Sequence, residues 1–580
     1  MLYTGARILI ESLLEQGVDT IFGYPGGSVT YIYDEIYRHR NKLRHILVSH
    51  EQHAAHAADG YARSTGKPGV CIATSGPGAT NLITGIATAF MDSVPMVAIT
   101  VNVPTGLLGK DSFQEVDIAG ISMPVVKHNW IVKNVKELAE VIREAFALTV
   151  SGRPGPVLID IAKDVTVLAA EWTPLLNEKK KRLGNEDEVL SVRARRLEER
   201  RTRRTFTDED IDKVVDLLKE SRRPLLYAGG GVISAGAGEE LVKAAERLNA
   251  PVALSLMGIG AIPRNHRLCT GLIGMHGTVA SNKAAQKADL LLAIGARFSD
   301  RVTSKVDMFA KTARVIHFDI DPAEINKNIE THAWVVGNAK ETLACLLAKL
   351  PLRMETEWNG EIEKWKAQVP PPYRKNTVSG KNTLYPQLII EETAKILGHD
   401  TIAVTDVGQH QIWAAQFFPA ERPRSFISSG GLGTMGFGLG AAAGVKIANR
   451  NRPVVLFTGD GCFRMNHGEM ATLNTYKIPV LIVVFNNGVL GMVRQLQTFF
   501  FEGHYSETDL GMYPDFLKLS DAYGMAGFRA NDGDSFREAL HAACGELLKG
   551  RSALIEAIIN KDENVLPMVP SGRPIDEQIL

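Results

Sequence analysis

The chain has 580 residues, 45% of them apolar, and its 65 basic and 65 acidic side chains cancel to a formal charge of zero. That length exceeds what one core organises and predicts several domains, while the balanced charge leaves no global field to draw nucleic acid or a membrane, so small molecules are the expected partners. The five cysteines, Cys71, Cys269, Cys345, Cys462 and Cys544, have no CxxC spacing, which argues against a disulfide framework or zinc site and fits a reducing compartment.

Residues 1–16 read as an amphipathic helix closed by Gly17 rather than a signal peptide, and no apolar run reaches membrane-spanning length, so a cytoplasmic protein is expected. Across residues 1–175 helical and strand patterns alternate, predicting a parallel sheet with helices on both faces. Strands are expected at 19–24, 69–74 and 95–101, with a helix over 51–65. The glycine turns Pro25-Gly26-Gly27 and Ser75-Gly76-Pro77-Gly78 follow two of these strands, at the edge where open sheets bind ligands. Residues 176–206 turn highly charged, with Lys179-Lys180-Lys181-Arg182 and Arg193-Ala194-Arg195-Arg196 among acidic neighbours. This reads as a solvated linker rather than a nucleic-acid patch.

A second α/β unit is expected over 207–352, with strands at 224–229, 251–254, 289–295 and 314–319. Gly229-Gly230-Gly231 follows the first; tight packing and nucleotide binding explain such a cluster equally well. Residues 353–381 read as a second linker. A third α/β unit follows over 382–560, with strands at 401–404, 453–457, 479–485 and 553–558, and an irregular tail over 561–580.

In the third unit two strands end in Gly459-Asp460-Gly461 and Asn486-Asn487. Asp460, the Asn487 amide oxygen and the Val489 carbonyl form an oxygen set suited to Mg²⁺, with positions left for a diphosphate. This pattern resembles the diphosphate motif of thiamine-diphosphate enzymes. Such catalysis also needs a carboxylate beside the aminopyrimidine, and Glu51, at a strand end and opening a helix, is the candidate; taken alone it could merely complement a helix N-terminus.

The resemblance then becomes specific. TSGPGATN (74–81), DSFQE (111–115), SGRPGPV (151–157), GMHG (274–277), ARFSDRVT (296–303), DVGQHQ (406–411), SGGLGTMGFG (429–438), GMVRQ (491–495) and LPMVPSG (566–572) are similar, in order, to acetolactate synthase large subunits. The resemblance implies three doubly wound α/β domains and an enzyme that decarboxylates pyruvate and adds the two-carbon unit to a second 2-oxo acid, in branched-chain amino acid biosynthesis. A pyruvate oxidase or other 2-oxo acid carboligase, and a scaffold without catalysis, are the alternatives.

By the same resemblance Glu51 activates thiamine diphosphate, while Asp460, Asn487 and Val489 hold Mg²⁺. Val407, Gly408, Gln409, His410, Gly433, Met435, Gly461, Cys462 and Met492 would line the cofactor, with Met435 wedging it into a bent conformation. Arg153, Gly229, Gly230, Leu256, Met275, His276, Gly295, Arg297, Asp319 and Ile320 match positions that bind a structural FAD. Gly27, Phe113, Gln114, Lys163 and Arg301 border the substrates, Arg301 as a fork for a carboxylate. A homodimer or homotetramer and a small regulatory subunit are also implied. The chain departs from the family at Ser299 and Asn338, where Asp is usual, and at Leu496, where Trp is usual and bears on the choice between pyruvate and 2-oxobutyrate.

Overall fold

Among the described residues three six-stranded, wholly parallel sheets carry the fold, beside one two-stranded antiparallel sheet, and the first and third are wound alike. The computed structural model describes residues 1–174, 205–351, 357–368, 384–511 and 514–580; the first expected linker, apart from Thr205 and Phe206, lies outside them. In the first sheet the strands lie side by side as Arg44–Leu47, Thr20–Gly23, Gly69–Thr74, Met96–Asn102, Pro156–Ala162 and Asn129–Val132. The third runs Phe426–Ile427, Ile402–Thr405, Val454–Gly459, Leu481–Asn486, Ala553–Ile558 and Ala526–Ala530. Numbered within its own unit, each has the strand order 2-1-3-4-6-5. Strands such as Gly69–Thr74 and Leu481–Asn486 are buried along their whole length, which is why they are continuous apolar runs rather than alternating ones.

The central sheet runs Cys269–Leu272, Val252–Leu254, Pro224–Ala228, Leu290–Ile294, Arg314–Asp319 and Ala333–Val336. That order, 3-2-1-4-5-6, is the one in which doubly wound sheets open a ligand crevice between strands 1 and 4.

The outer two sheets share one core. The Glu51–Thr65 helix is capped by His50, whose ring accepts the Gln52 N–H at 3.2 Å, and stops at Gly66 with φ +77°, a left-handed position that favours glycine. Its small-residue face lies on the Gly438–Ala448 helix. A Cβ on Gly60 would overlap the Ala441 carbonyl, and one on Gly444 would overlap that of Ala57. Ala54, Ala57 and Ala58 thus join Ala441, Ala442 and Val445 in the same cluster as Cys71 and Ala98 of the first sheet and Val404 and Leu456 of the third.

Two expectations are corrected. The N-terminus does not open as a helix: Leu2–Thr4 is a strand paired antiparallel with Ala169–Glu171, and the helix is Gly5–Glu15. Short edge pairing with residues so distant in sequence leaves no local signal. Within the expected second linker, Glu357–Ala367 is a helix that buries Trp358 and Ile362 against the central sheet. Trp358 donates to the Pro224 carbonyl at 3.0 Å and meets Trp365 edge to face at 5.6 Å. Positions 358, 362 and 365 follow helical spacing, but the surrounding Glu and Lys residues hid the stripe.

Candidate active site

The Asp460 carboxylate is fixed on both oxygens. Oδ1 accepts the Gly461 N–H at 2.9 Å and Oδ2 the Gly488 N–H at 2.8 Å, so the strand ends Val454–Gly459 and Leu481–Asn486 are tied at the carboxyl edge. Burial pushes this carboxyl up to about 6, against the pull of the Gly488 and Gly461 amides, and an adjoining cation would favour its charged form. Asn487 Oδ1 accepts the Val489 N–H at 3.2 Å, and Asn487 Nδ2 reaches Gln409 Oε1 at 3.5 Å. Carboxylate, amide and carbonyl oxygens together suit a hard cation. Among the described residues no three His, Cys, Asp or Glu side chains converge on a metal position.

Gly408, at φ +151°, opens the Gln409–Phe417 helix beside this edge. Backbone N–H groups at such a helix start suit a diphosphate. His410 is buried, its imidazole pushed down to about 3 and hence neutral, and its Nε2 has no hydrogen-bond partner. Gln409 spans to Gln495 Oε1 at 3.0 Å and the Glu563 carbonyl at 2.9 Å. The tail is therefore seated on the site, and Gln495 holds it further through both backbone groups of Val565. Met435 Cε lies 3.8 Å from a Cβ position on Gly461, and the Cys462 thiol donates to the Val407 carbonyl at 3.0 Å. Gly433 has φ +71°, and Met492 packs against the third-sheet core. This donor set, the glycine-lined strand ends and the unpartnered His410 nitrogen fit a metal-bound diphosphate.

Around the identically wound first sheet, Gly27, Glu51 and Gln114 gather at the Thr74–Gly78 turn. Ser28 N donates to Thr74 Oγ1 at 3.3 Å and its hydroxyl meets that of Ser75 at 2.9 Å. Glu51 Oε1 is 3.3 Å from a Cβ position on Gly78, and the Gln114 backbone closes on Gly76. Asn81 donates to Glu51 Oε2 at 2.9 Å. Phe113 is 88% exposed. Lys163 follows the Pro156–Ala162 strand and donates its N–H to the Val103 carbonyl at 3.4 Å. Among the described residues no hydrogen bond or ion pair joins Glu51 to Asp460, Asn487 or the Met435 loop. Arg301 stands apart as well, with a 71% exposed side chain 3.6 Å from Met275 Sδ.

Residues 3–121, 211–346 and 406–557 match, in turn, the N-terminal TPP binding domain, the central domain and the C-terminal TPP binding domain of thiamine pyrophosphate enzymes. The acetolactate synthase large subunit of Corynebacterium glutamicum is 46% identical over 98% of this chain and 89% of its own length. The acetolactate synthase isozyme 3 large subunit of Escherichia coli is 41% identical over 100% and 98%, and an acetolactate synthase of Arthrospira platensis 44% over 98% and 96%. The chain belongs to the acetolactate synthase large-subunit family. It is a thiamine-diphosphate-dependent enzyme built from three such domains.

In the central sheet of this acetolactate synthase large-subunit chain the neighbouring strands Pro224–Ala228 and Leu290–Ile294, where the strand order reverses, are followed by Gly229 and Gly295. A Cβ on Gly229 would overlap the Gly295 carbonyl, and Gly231 closes on the same residue, so packing accounts for two of the three clustered glycines. Gly230 faces Met257 instead, and Leu256, the residue before Met257, lies against Gly430. Asp319 accepts the Asp321 N–H at 2.9 Å, with Ile320 between them. Arg153, from the first domain, pairs with Glu324 at 2.8 Å and Asp321 at 3.3 Å. Met275 and His276 carry the tail, through Val569 N–H at 2.8 Å and the Pro567 carbonyl at 3.2 Å. The Arg297 carbonyl accepts Asn328 at 3.1 Å. Ser299 precedes a short helix, and Asn338 caps another by accepting the Lys340 N–H at 2.9 Å.

Sequence reading passed over Asp406 and Glu469. Asp406, fully buried, accepts the Gly436 N–H at 2.8 Å and the Asn466 amide at 3.1 Å, bracing the Met435 turn. An acid closing the apolar strand Ile402–Thr405 was its signal. Glu469, pushed up to about 7 by burial, accepts the Ser49 N–H at 2.8 Å, two residues before Glu51. Nothing local announces that pairing. Among the described residues no helix is long and apolar enough to cross a membrane.

Proposed function

We infer that the protein is an acetolactate synthase whose site is built from Glu51, the Asp460–Asn487–Val489 oxygen set and the Gly408–His410 and Met435 loops. The reaction decarboxylates pyruvate and joins the two-carbon unit to pyruvate, giving 2-acetolactate, or to 2-oxobutyrate, giving 2-aceto-2-hydroxybutyrate. The observation that carries the reading is the fixed Asp460 carboxylate at the third sheet's carboxyl edge, with Glu51 at the same edge of a sheet wound identically. Thiamine diphosphate supplies the nucleophilic carbon and the electron sink for decarboxylation. Asp460, Asn487 and Val489 hold Mg²⁺, and Gly408, Gln409 and His410 the diphosphate. Glu51 moves a proton at the aminopyrimidine ring nitrogen. Arg301 receives the acceptor's carboxylate, and Gly27, Phe113, Gln114 and Lys163 border the reacting centre.

FAD, as a structural group, would be held at the central sheet's carboxyl edge by Gly230, Arg297, Asp319 and their neighbours; the 3-2-1-4-5-6 strand order supports this. Glu51 and the Asp460 loop belong to different domains, and among the described residues no hydrogen bond joins them, in keeping with a homodimer in which the two meet across subunits. The large-subunit names of the relatives support a small regulatory partner. Incubating purified protein with pyruvate, thiamine diphosphate, Mg²⁺ and FAD and identifying the products tests the reading. 2-Acetolactate is the expected product; acetyl phosphate, or oxygen consumption without carbon–carbon bond formation, would replace it with an oxidase.

A further inference from the structure

The loop that delivers Met435, residues 428–434, is gripped at both ends by side chains of the first domain. Arg63 is the centre of the grip: it is only 8% exposed, pairs through Nε with Asp59 and through Nη2 with Asp92 at 2.9 Å, and gives its remaining Nη1 to the Ser428 carbonyl at 2.9 Å. Asp92 takes the Gly430 N–H on the same oxygen at 3.1 Å. Gly431 then closes on Met91 and Asp92 so tightly that a Cβ would stand 2.7 Å from Asp92 Oδ1. At the far end the buried Thr88 hydroxyl meets that of Thr434, the residue before Met435, at 2.7 Å. The third domain holds the same loop from behind, where Gln411 donates to Ser428 Oγ at 2.8 Å and to the Ser429 carbonyl at 3.1 Å.

A buried guanidinium with two carboxylate partners and a backbone carbonyl is a costly arrangement to assemble, and an apolar cluster would serve stability as well. What it supplies that an apolar cluster cannot is fixed direction for a glycine-rich segment with few side chains of its own. We propose that Arg63, Asp92 and Thr88 are positioning residues for catalysis, locking the 428–434 loop so that Met435 stands where the cofactor must bend. This rests on the reading of Met435 given above. Arg63 also lies in the last turn of the helix that Glu51 begins, ~18 Å along it at 1.5 Å per residue. If Glu51 serves a partner's cofactor, each such helix holds one site at its start and steadies another near its end.

The test uses the holoenzyme with thiamine diphosphate and Mg²⁺. Asp92→Asn, Thr88→Val and Thr88→Ser are compared with Met435→Ala by acid-quench NMR of C2 proton exchange, by cofactor affinity from intrinsic fluorescence, by kcat and KM for pyruvate, and by thermal unfolding of the apoprotein. Asp92→Asn and Thr88→Val are expected to slow C2 exchange and kcat together by ~10- to 100-fold, the scale of an ångström misplacement, with KM within about twofold, while Thr88→Ser restores both rates. Should Asp92→Asn fail to fold, Thr88→Val decides. Normal exchange in folded Asp92→Asn and Thr88→Val, beside slowed exchange in Met435→Ala, overturns the positioning role alone. Normal exchange in Met435→Ala removes the reading of Met435 and this proposal with it.

Discussion

The Asn81 amide donates to Glu51 Oε2 at 2.9 Å, so the proposed activating carboxylate is held on one oxygen while the other lies beside the Gly78 turn. Glu51→Gln keeps the shape of that contact but removes an acid–base group. It should retain thiamine diphosphate and slow C2 proton exchange by ~10²- to 10⁴-fold, the range of general acid–base contributions. NMR exchange at the wild-type rate would remove Glu51 from this role.

Asp460→Ala deletes the only carboxylate of the proposed cation set and frees the Gly461 and Gly488 amides. Mg²⁺-dependent retention of thiamine diphosphate should be lost. Equilibrium binding with and without chelator measures this, and equal affinity in wild type and variant would contradict the metal assignment.

Co-expressed Glu51→Gln and Asp460→Ala subunits, each inactive alone, should regain part of the activity in verified heterodimers. One interface of the mixed pair then carries both intact residues. Silent heterodimers would place each complete site within a single chain.

Leu496→Trp should favour 2-oxobutyrate over pyruvate as acceptor by roughly tenfold to hundredfold, the reach of a single methylene in a well-formed pocket. Leu496 is 36% exposed on the Gly491–Phe500 helix, so the larger ring has room. Competition between the two oxo acids gives the product ratio directly; an unmoved ratio at normal total activity assigns acceptor choice elsewhere.

Trp358→Ala should destabilise the central domain by about 3–5 kcal/mol, the usual cost of emptying a buried aromatic position. It also leaves the Pro224 carbonyl without its donor. Denaturant unfolding followed through the central-domain transition reads the change, and a shift below about 1 kcal/mol would mean that the helix contributes little.

The buried strands were legible because burial leaves mostly apolar runs: 69–74, 314–319 and 553–558 coincide with the strands found, although His317 and Glu556 are buried within two of them. The Glu51–Thr65 helix was equally plain, with His50 ahead of it and Gly66 after it. Pairings made by distant residues were not. The Leu2–Thr4 strand depends on Ala169–Glu171, and the tail's hold on Gln409 and Gln495 joins an irregular segment to two helices, Gln409–Phe417 and Gly491–Phe500. At the site, motif spacing gave Asp460 and Asn487, but Arg63 and Asp92 carry no local sign of a role, since their meaning comes from a loop more than 300 residues away.

The glycine–alanine contact between the helices Glu51–Thr65 and Gly438–Ala448 also sets a problem of timing. On the ribosome the first of these helices emerges more than 370 residues before its partner. At about 5–20 residues per second the delay is on the order of 20–70 s. Throughout it, a face of alanines and glycine that belongs inside the protein has nothing to lie against. That face meets its native partner only when the last quarter of the chain is being made.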